Sequence, residues 1–105
     1  MKEITVSQLN KMMHSEEDFQ LIDVREEHEV DIASIGGKLI PMGEVMDNLD
    51  KISRDKKVVL YCRSGNRSGI VTQALEKQHG FNNIYNLKGG ILAWADEIDT
   101  SMTKY

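Results

Sequence analysis

Short apolar runs alternate with amphipathic stretches from one end of the chain to the other. Runs with the residue types of β-strands cover residues 4–6, 19–24, 38–40, 57–61 and 84–87. Stretches typical of helices lie at residues 7–13, 26–31, 42–49 and 68–79, and beyond the glycine pair at 89–90. A regular alternation of strands and helices, without linkers or repeats, is typical of the α/β class. We therefore expect an α/β fold.

The run Lys57-Val58-Val59-Leu60-Tyr61 contains almost no polar position. A strand that is apolar on both faces is typical of the centre of a parallel sheet, so we expect this run to be the central strand. The helix after it ends before Gly80, a residue type suited to a left-handed C-cap. The positions of this helix predicted to face the core are Ile70, Val71, Ala74 and Leu75.

Weaker signals complete the pattern. Thr5 or Ser7 can cap the first helix, with Gln8 as the capping-box partner of Thr5. The charged segment 26–31 predicts a short exposed helix, and residues 100–105 are predicted to be loosely ordered. Helical spacing also predicts an amphipathic helix with four core-facing side chains, Met42, Val45, Met46 and Leu49.

Composition narrows the class of protein without changing the predicted fold. A chain of 105 residues fits one domain, so we expect residues 1–105 to form a single domain. Hydrophobic residues make up 40% of the chain and charged residues 29%, as in ordinary globular proteins. The formal net charge of -4 disfavours a nucleic acid or an anionic membrane as the main partner.

The start of the chain lacks the apolar stretch of a secretory signal, and no run reaches the length of a membrane span. Small secreted domains usually carry an even set of cysteines, whereas this chain has one. We therefore expect a cytoplasmic protein. His14, His28 and His79 are scattered among charged residues without ligand-like spacing, so neither a metal nor a cofactor is expected.

Cys62, the only cysteine, follows the predicted central strand directly. It opens the loop Cys62-Arg63-Ser64-Gly65-Asn66-Arg67, which leads into a helix beginning near Ser68. The N–H groups of such a loop and the positive end of the helix dipole favour the thiolate, the reactive form of cysteine. The two arginines of the loop add positive charge, and its glycine allows the turn. We therefore expect Cys62 to be a catalytic nucleophile.

Three segments together resemble the rhodanese-like sulfurtransferases. They are Leu21-Ile22-Asp23-Val24-Arg25-Glu26, the cysteine loop extended to Ser68, and Asn86-Leu87-Lys88-Gly89-Gly90-Ile91-Leu92-Ala93-Trp94. The resemblance implies a small, mostly parallel sheet with helices on both faces and a persulfide carried on Cys62. It also implies a binding loop for the substrate and the persulfide, made of Arg63, Ser64, Gly65, Asn66, Arg67 and Ser68.

Loop length separates two chemistries known for this fold. Sulfurtransferases of the family have four residues between the cysteine and the closing arginine, whereas related dual-specificity phosphatases and arsenate reductases have five. Here the intervening residues are Arg63, Ser64, Gly65 and Asn66, which is the shorter form. We expect the shorter loop to form a pocket for one sulfur atom. Arsenate reductases of this kind usually finish through a second cysteine, which this chain lacks.

The resemblance implies a thiosulfate:cyanide sulfurtransferase-like enzyme. The Cys62 thiolate attacks the outer sulfur of thiosulfate or of another persulfide donor and holds it as a persulfide. An external thiol or a sulfur-carrier protein then removes the sulfur, because no second cysteine can resolve the persulfide. Residues 38–44 and 90–99 look like the C-terminal rhodanese domain of enzymes that activate ubiquitin-like sulfur carriers, which suggests a carrier as acceptor.

Two departures from the family pattern concern the flanking loop and its partner surface. Residues 33–38, Ala33-Ser34-Ile35-Gly36-Gly37-Lys38, replace the usual Gly-His-Ile-Pro-Gly-Ala, and Glu27 stands where proline is common. Three alternatives to the enzyme remain open at this point. They are a persulfide relay between proteins, a non-catalytic interaction module on the same fold, and a phosphatase, which the loop length disfavours.

The sequence also suggests roles for the charged residues near the strand ends. Asp23 and Arg25 are expected to connect loops rather than to take part in catalysis. Arg67 is expected to close the cysteine loop rather than to pair with a surface carboxylate. Arg63 either points to solvent, where it would steer anions, or contacts the substrate. The acidic positions at 16–18 and 26–27 are expected to be exposed, and Trp94 to anchor the last helix in the core.

Overall fold

The computed structural model describes all of residues 1–105. Its strands are β1 (Lys2–Ile4), β2 (Phe19–Asp23), β3 (Lys38–Leu39), β4 (Lys57–Tyr61) and β5 (Ile84–Leu87). Its α-helices are α1 (Val6–Met13), α2 (Glu27–Ile32), α3 (Asn66–His79) and α4 (Gly90–Glu97). Two 3₁₀ helices, Met42–Asp47 and Leu49–Lys51, precede β4. None of the helices has the length and apolar character needed to cross a bilayer.

The five strands form one sheet in the order β1-β5-β4-β2-β3, and every pair is parallel. Strand β4 lies at the centre as predicted, and its residues 58–61 have no exposed surface. Because all strands run in one direction, the loops after β2, β4 and β5 lie at the same edge of the sheet. That edge is where a ligand site is expected in an open α/β sheet.

Each face of the sheet carries its own core. Side chains of β4 alternate between the two faces, so that Val58 and Leu60 join one core and Val59 and Tyr61 the other. Helix α3 and the 3₁₀ segment cover the first core, whereas α1 and α4 cover the second. The predicted α/β class with helices on both faces is therefore confirmed.

Several local predictions are confirmed at residue level. The Thr5 side chain accepts a hydrogen bond from the N–H of Gln8, and the Gln8 side chain accepts one from the N–H of Thr5, which completes the capping box. Helix α3 ends before Gly80, as predicted. Strand β1 lies earlier than expected, since it ends at Ile4 and Val6 already belongs to α1.

The prediction for residues 42–49 is confirmed in part: Val45 is buried and Met42 and Leu49 pack against the core, but no α-helix forms. Instead, 3₁₀ turns form there, and Met46 is 40% exposed. The side chain of Asn48 donates to the carbonyl of Glu44 at 2.7 Å, and this carbonyl is the acceptor that an α-helix would offer to the Asn48 N–H. The Asn48 N–H turns to the carbonyl of Val45 at 3.0 Å instead, which gives the tighter winding.

The predicted core face of α3 is also partly wrong. Val71 and Leu75 are buried, but Ile70 is 57% exposed. The buried stripe runs through Ser68 and Thr72, one turn apart, so a stripe that is partly polar faces the sheet. The hydroxyl of Thr72 is satisfied there because it donates to the carbonyl of Ser68 at 2.8 Å.

Candidate active site

Cys62 follows the last residue of β4, and α3 begins four residues later at Asn66. The loop therefore points the N-terminus of a fourteen-residue helix at the end of the central strand. Cys62 is a free cysteine and only 1% exposed, at the margin of the core covered by α3. The sulfur lies below the surface of the loop, so only a small or extended reactant can reach it.

Two main-chain N–H groups and one hydroxyl lie within hydrogen-bond distance of Sγ of Cys62, and the hydroxyl shares its single proton with Oδ1 of Asn86. The donors are the N–H of Gly65 at 3.1 Å, the N–H of Ser68 at 3.4 Å and the hydroxyl of Ser68 at 3.3 Å. Burial raises the pKa of the thiol, but the hydrogen bonds from Ser68, Gly65 and the N–H of Ser64 outweigh burial. The pKa of Cys62 therefore lies below its ordinary value, which favours the nucleophilic thiolate.

The N-terminus of α4 explains why the loop presents N–H groups to the sulfur. The carbonyls of Cys62 and Arg63 accept hydrogen bonds from the N–H groups of Ile91 and Leu92, both at 3.0 Å. Those carbonyls are therefore engaged outside the sulfur pocket. Gly90 makes this close approach feasible, because a Cβ there would lie 2.5 Å from the carbonyl oxygen of Arg63 and 2.6 Å from that of Cys62.

Arg67 pairs with a carboxylate, although not with one on the surface. Its Nη1 and Nη2 atoms donate to Oε2 and Oε1 of Glu29, both at 2.8 Å. Glu29 is 7% exposed, and the hydrogen bonds from Arg67 are the main reason that the pKa of Glu29 falls to about 2. This pair connects the first turn of α3 to α2.

The prediction that segment 26–31 is an exposed helix is wrong for Glu29. Sequence reasoning missed this residue because the whole segment is charged. One signal was available: Glu29 stands three residues after Glu26, at the capping-box position. The N–H of Glu26 does donate to Oε2 of Glu29, at 2.9 Å. The Glu29 carboxylate therefore caps the N-terminus of α2 and also binds Arg67.

Asp23 and Arg25 form a buried ion pair with an Nη2–Oδ2 distance of 2.8 Å. Arg25 has no exposed surface and also donates to the carbonyls of Glu29 and Ala33, at 3.3 and 2.9 Å. Arg25 makes no hydrogen bond to Cys62. The pair connects the end of β2 to the middle and the C-terminal end of the neighbouring helix α2, which fits the structural role predicted for it.

The C-terminal segment contacts the site, so the prediction of a loosely ordered tail is wrong at Tyr105. The hydroxyl of Tyr105 accepts from Nη1 of Arg25 at 3.0 Å and donates to Oε1 of Glu29 at 3.1 Å. The guanidinium of Arg63 lies 5.1 Å from the centre of the Tyr105 ring and donates to its main-chain oxygen. Arg63 is thus held by Tyr105, an arrangement that neither predicted role of Arg63 included.

Asn86 is the second site residue that sequence reasoning missed. It lies in β5, next to the central strand, and is 2% exposed. Its Oδ1 accepts from the hydroxyl of Ser68 at 2.5 Å, and its Nδ2 donates to the carbonyl of Gly65 at 3.2 Å. A lone amide in an apolar strand, at the sheet edge that carries the cysteine loop, was the available signal.

Ser64 and Asn66 are exposed at the outer surface of the loop. Two surface cavities, of about 320 and 290 Å³, lie near the loop, but neither is lined by Cys62. No group of three or more His, Cys, Asp or Glu side chains is arranged to hold a metal ion.

Comparison with known proteins identifies relatives over most of the chain. A family model described as Rhodanese-like domain matches residues 5–97. A sulfurtransferase of Allochromatium vinosum is 37% identical over 94 residues, which is 89% of this chain and 87% of the relative. MoeZ of Mycobacterium tuberculosis, named as an adenylyltransferase/sulfurtransferase, is 38% identical over 105 residues, but the chain spans only 26% of its length.

Comparison with solved structures gives the same family. A rhodanese-like domain protein from Staphylococcus aureus superimposes with a TM-score of 0.83 at 33% sequence identity, covering 93% of this chain and 95% of that one. The likeness therefore includes both the sequence and the fold.

Proposed function

The chain belongs to the rhodanese-like domain family, whose named members include sulfurtransferases, and from this membership we propose that it moves a sulfane sulfur through a persulfide on Cys62. The donor is thiosulfate or another small persulfide, and the acceptor is an external thiol or a sulfur-carrier protein. The active residues are Cys62 as nucleophile and the loop from Arg63 to Ser68 as the binding surface. We further propose that residues 1–105 form a single domain that acts in the cytoplasm and needs no cofactor.

One observation carries the proposal: the N–H groups of Gly65 and Ser68 point at Sγ of Cys62, and the Ser68 hydroxyl lies within reach of it. Such donors stabilise a thiolate, which attacks the outer sulfur of thiosulfate. A bond forms between Sγ and that sulfur, the S–S bond of thiosulfate breaks, and sulfite leaves with the electron pair. The step needs no separate oxidant or reductant.

The negative charge then lies on the outer sulfur of the persulfide. The N–H groups of Asn66 and Arg67, at the start of α3, have no acceptor within the protein and are available to this sulfur. The guanidinium of Arg67, in the same turn of α3, adds positive charge. Its pKa is raised chiefly by the hydrogen bond to Glu29 and also by the charge of Cys62, so it stays protonated.

In the second step an external nucleophile attacks the outer sulfur, and the Cys62 thiolate leaves with the electron pair. A second thiol of the same chain cannot do this, because Cys62 is the only cysteine of the chain. The match to MoeZ, named as an adenylyltransferase/sulfurtransferase, supports a sulfur-carrier protein that presents a thiol as one acceptor. A low-molecular-weight thiol is the other, and cyanide serves in an assay.

The test is a transfer assay with thiosulfate or glutathione persulfide as donor and cyanide or a thiol as acceptor. We expect turnover that disappears in Cys62→Ser and shows ping-pong kinetics, because sulfur rests on the enzyme between the two steps. An aryl phosphate serves as the contrasting substrate. Hydrolysis of the phosphate without sulfur transfer would establish a phosphatase, and binding of a protein partner without any turnover would establish an interaction module.

A further inference from the structure

The side chain of Asn86 contacts the two residues that donate to the Cys62 sulfur. Its Nδ2 holds the carbonyl of Gly65 at 3.2 Å, and its Oδ1 lies 2.5 Å from the hydroxyl of Ser68. The N–H groups of Gly65 and Ser68 are the main-chain donors to Sγ, at 3.1 and 3.4 Å. One buried amide on a neighbouring strand thus holds both ends of the segment that wraps the sulfur.

The orientation of this amide is determined by its partners. Nδ2 faces the carbonyl of Gly65 and, at 3.5 Å, the carboxylate of Glu3 on β1. The reverse orientation would place the amide oxygen against two acceptors, with loss of both hydrogen bonds. Oδ1 must therefore face Ser68, whose single hydroxyl proton lies within reach of both Oδ1 of Asn86, at 2.5 Å, and Sγ of Cys62, at 3.3 Å.

Packing leaves the Asn86 side chain little freedom to move. Asn86 is 2% exposed, and Ser68 has no exposed surface. A Cβ built at Gly69 would lie only 3.3 Å from Nδ2, so the first turn of α3 passes directly over the amide. The contact also spans sheet and helix, since Asn86 belongs to β5 whereas Ser68 belongs to α3.

We propose that Asn86 is a positioning residue that fixes Gly65 and Ser68 so that their N–H groups point at the Cys62 sulfur. The inference depends on the proposed role of Cys62 as nucleophile. Asn86 itself does not touch Sγ and acts only through the loop. Without it, the loop would remain closed by the α4 contacts at Cys62 and Arg63, but its second half would lose its attachment to the sheet.

Asn86 affects the thiolate in two opposite ways. By holding Gly65 it keeps a donor on the sulfur, which favours the thiolate. By accepting from Ser68 it competes with Sγ for a single proton, because a hydroxyl donates only one hydrogen bond. The guanidinium of Arg67, which is held by Glu29 and feels the charge of Cys62, and the carboxylate of Glu3 beside Asn86 remain in place in either case.

The background Ser68→Ala removes the competition and leaves only the attachment through Gly65. We would titrate the thiolate absorbance of Cys62 in Ser68→Ala and in Ser68→Ala/Asn86→Ala, subtracting a Cys62→Ser blank in each background. The proposal expects a higher thiol pKa in the double variant, with about three- to tenfold less thiolate at a pH below both values. It also expects a smaller change when Asn86→Ala is made alone, because the freed Ser68 hydroxyl then compensates.

The matched control is Asn83→Ala in the same Ser68→Ala background. Asn83 lies just before β5, at the opposite end of the sheet, and its Nδ2 donates to the carbonyls of Ser53 and Lys56, both at 2.7 Å. This variant loses comparable hydrogen bonds far from Cys62, so it should lose stability without changing the thiol pKa. If the double variant with Ala at 86 does not fold, Asn86→Leu, which keeps the branched shape of the side chain without its polar atoms, takes its place.

Equal thiol titrations in Ser68→Ala and in the folded double variant would overturn the proposal, as would an equal shift caused by Asn83→Ala. Both outcomes are read from the ionisation of the thiol and need no sulfur transfer. The proposed function fails on a different result, the absence of any persulfide on Cys62, so the two failures can be told apart.

Discussion

Arg67 and Glu29 form a two-point ion pair with both N–O distances at 2.8 Å, and this pair joins the loop helix α3 to α2. A charge that is only 7% exposed needs such a partner, because an unpaired buried carboxylate is costly. The guanidinium is therefore fixed beside the Cys62 loop by a residue that precedes it by almost forty positions in the sequence. The integrity of the site depends on this pair as well as on the loop.

Glu29→Gln should destabilise the protein in a pH-dependent way. The pKa of Glu29 falls from 4.5 to about 2, so the folded state gains stability from this group above pH 4.5 and loses it as the pH falls towards 2. We expect the variant to be less stable than the wild type by about 3 kcal/mol at neutral pH. The difference should shrink as the pH falls from 4.5 to about 2. Urea denaturation across this pH range measures both the stability difference at neutral pH and its decrease at low pH.

Glu27→Gln is the matched control, because Glu27 is an exposed carboxylate in the same helix and makes no hydrogen bond. Its stability should remain within about 0.5 kcal/mol of the wild type at each pH. A constant difference between Glu29→Gln and the wild type from pH 7 down to pH 2 would show that the ion pair does not stabilise the fold in the way described.

Gly90→Ala should displace the Cys62 loop from the side on which α4 packs. Gly90 has a φ of +59°, and its added methyl group would lie 2.5 Å from the carbonyl oxygen of Arg63, so the backbone would have to move. We expect a loss of about 2 kcal/mol in the free energy of unfolding and slower alkylation of Cys62. Gly43→Ala is the comparison, because nothing lies within 4 Å of its added methyl group. Equal stability of the two variants would contradict the close packing of α4 on the loop.

Tyr105→Phe should cost about 1 kcal/mol of stability, because it removes the hydroxyl that lies between Arg25 and Glu29. The aromatic ring that Arg63 faces would remain. Tyr85→Phe is the control: the hydroxyl of Tyr85 has no hydrogen bond in the structure, so its loss should have little effect. Thermal unfolding of the two variants makes the comparison. If the C-terminal tail were loosely ordered, the two variants would have the same melting temperature.

Ser68→Ala should raise the pKa of the Cys62 thiol, because it removes a hydroxyl 3.3 Å from Sγ while leaving the N–H donor in place. The hydroxyl shares its proton with Asn86, so we expect only about threefold less thiolate at a pH below both pKa values. Thr72→Val deletes an equally buried hydroxyl one turn further along α3 and should leave the thiol titration unchanged. A shift of the same size in both variants would assign the effect to the packing of the helix instead of to the donor.

The main features of the fold were predictable because they depend on local pattern. The uninterrupted apolar run of β4 predicted a central parallel strand, and the position of Cys62 after it predicted the edge of the sheet where the loop lies. The capping box of Thr5 and Gln8 was also readable, since both partners are three residues apart. Each of these predictions involves residues that are neighbours in the sequence.

The rest of the site depends on contacts between residues that are distant in the sequence. Glu29 looks like one acid among several until α2 packs beside Arg67, and Asn86 looks like a strand residue until β5 lies beneath α3. Tyr105 lies eighty positions from Arg25, the residue that its hydroxyl contacts. The α-helix predicted over residues 42–49 failed for a local reason, because the Asn48 side chain takes the carbonyl that an α-helix needs.

The most direct test of the central claim is the intact mass of the protein after incubation with thiosulfate and removal of excess donor. The account predicts a gain of one sulfur atom, carried on Cys62, that cyanide removes and that Cys62→Ser does not acquire. If thiosulfate and glutathione persulfide both leave the mass of the folded wild-type protein unchanged, the claim that Cys62 carries sulfur is contradicted.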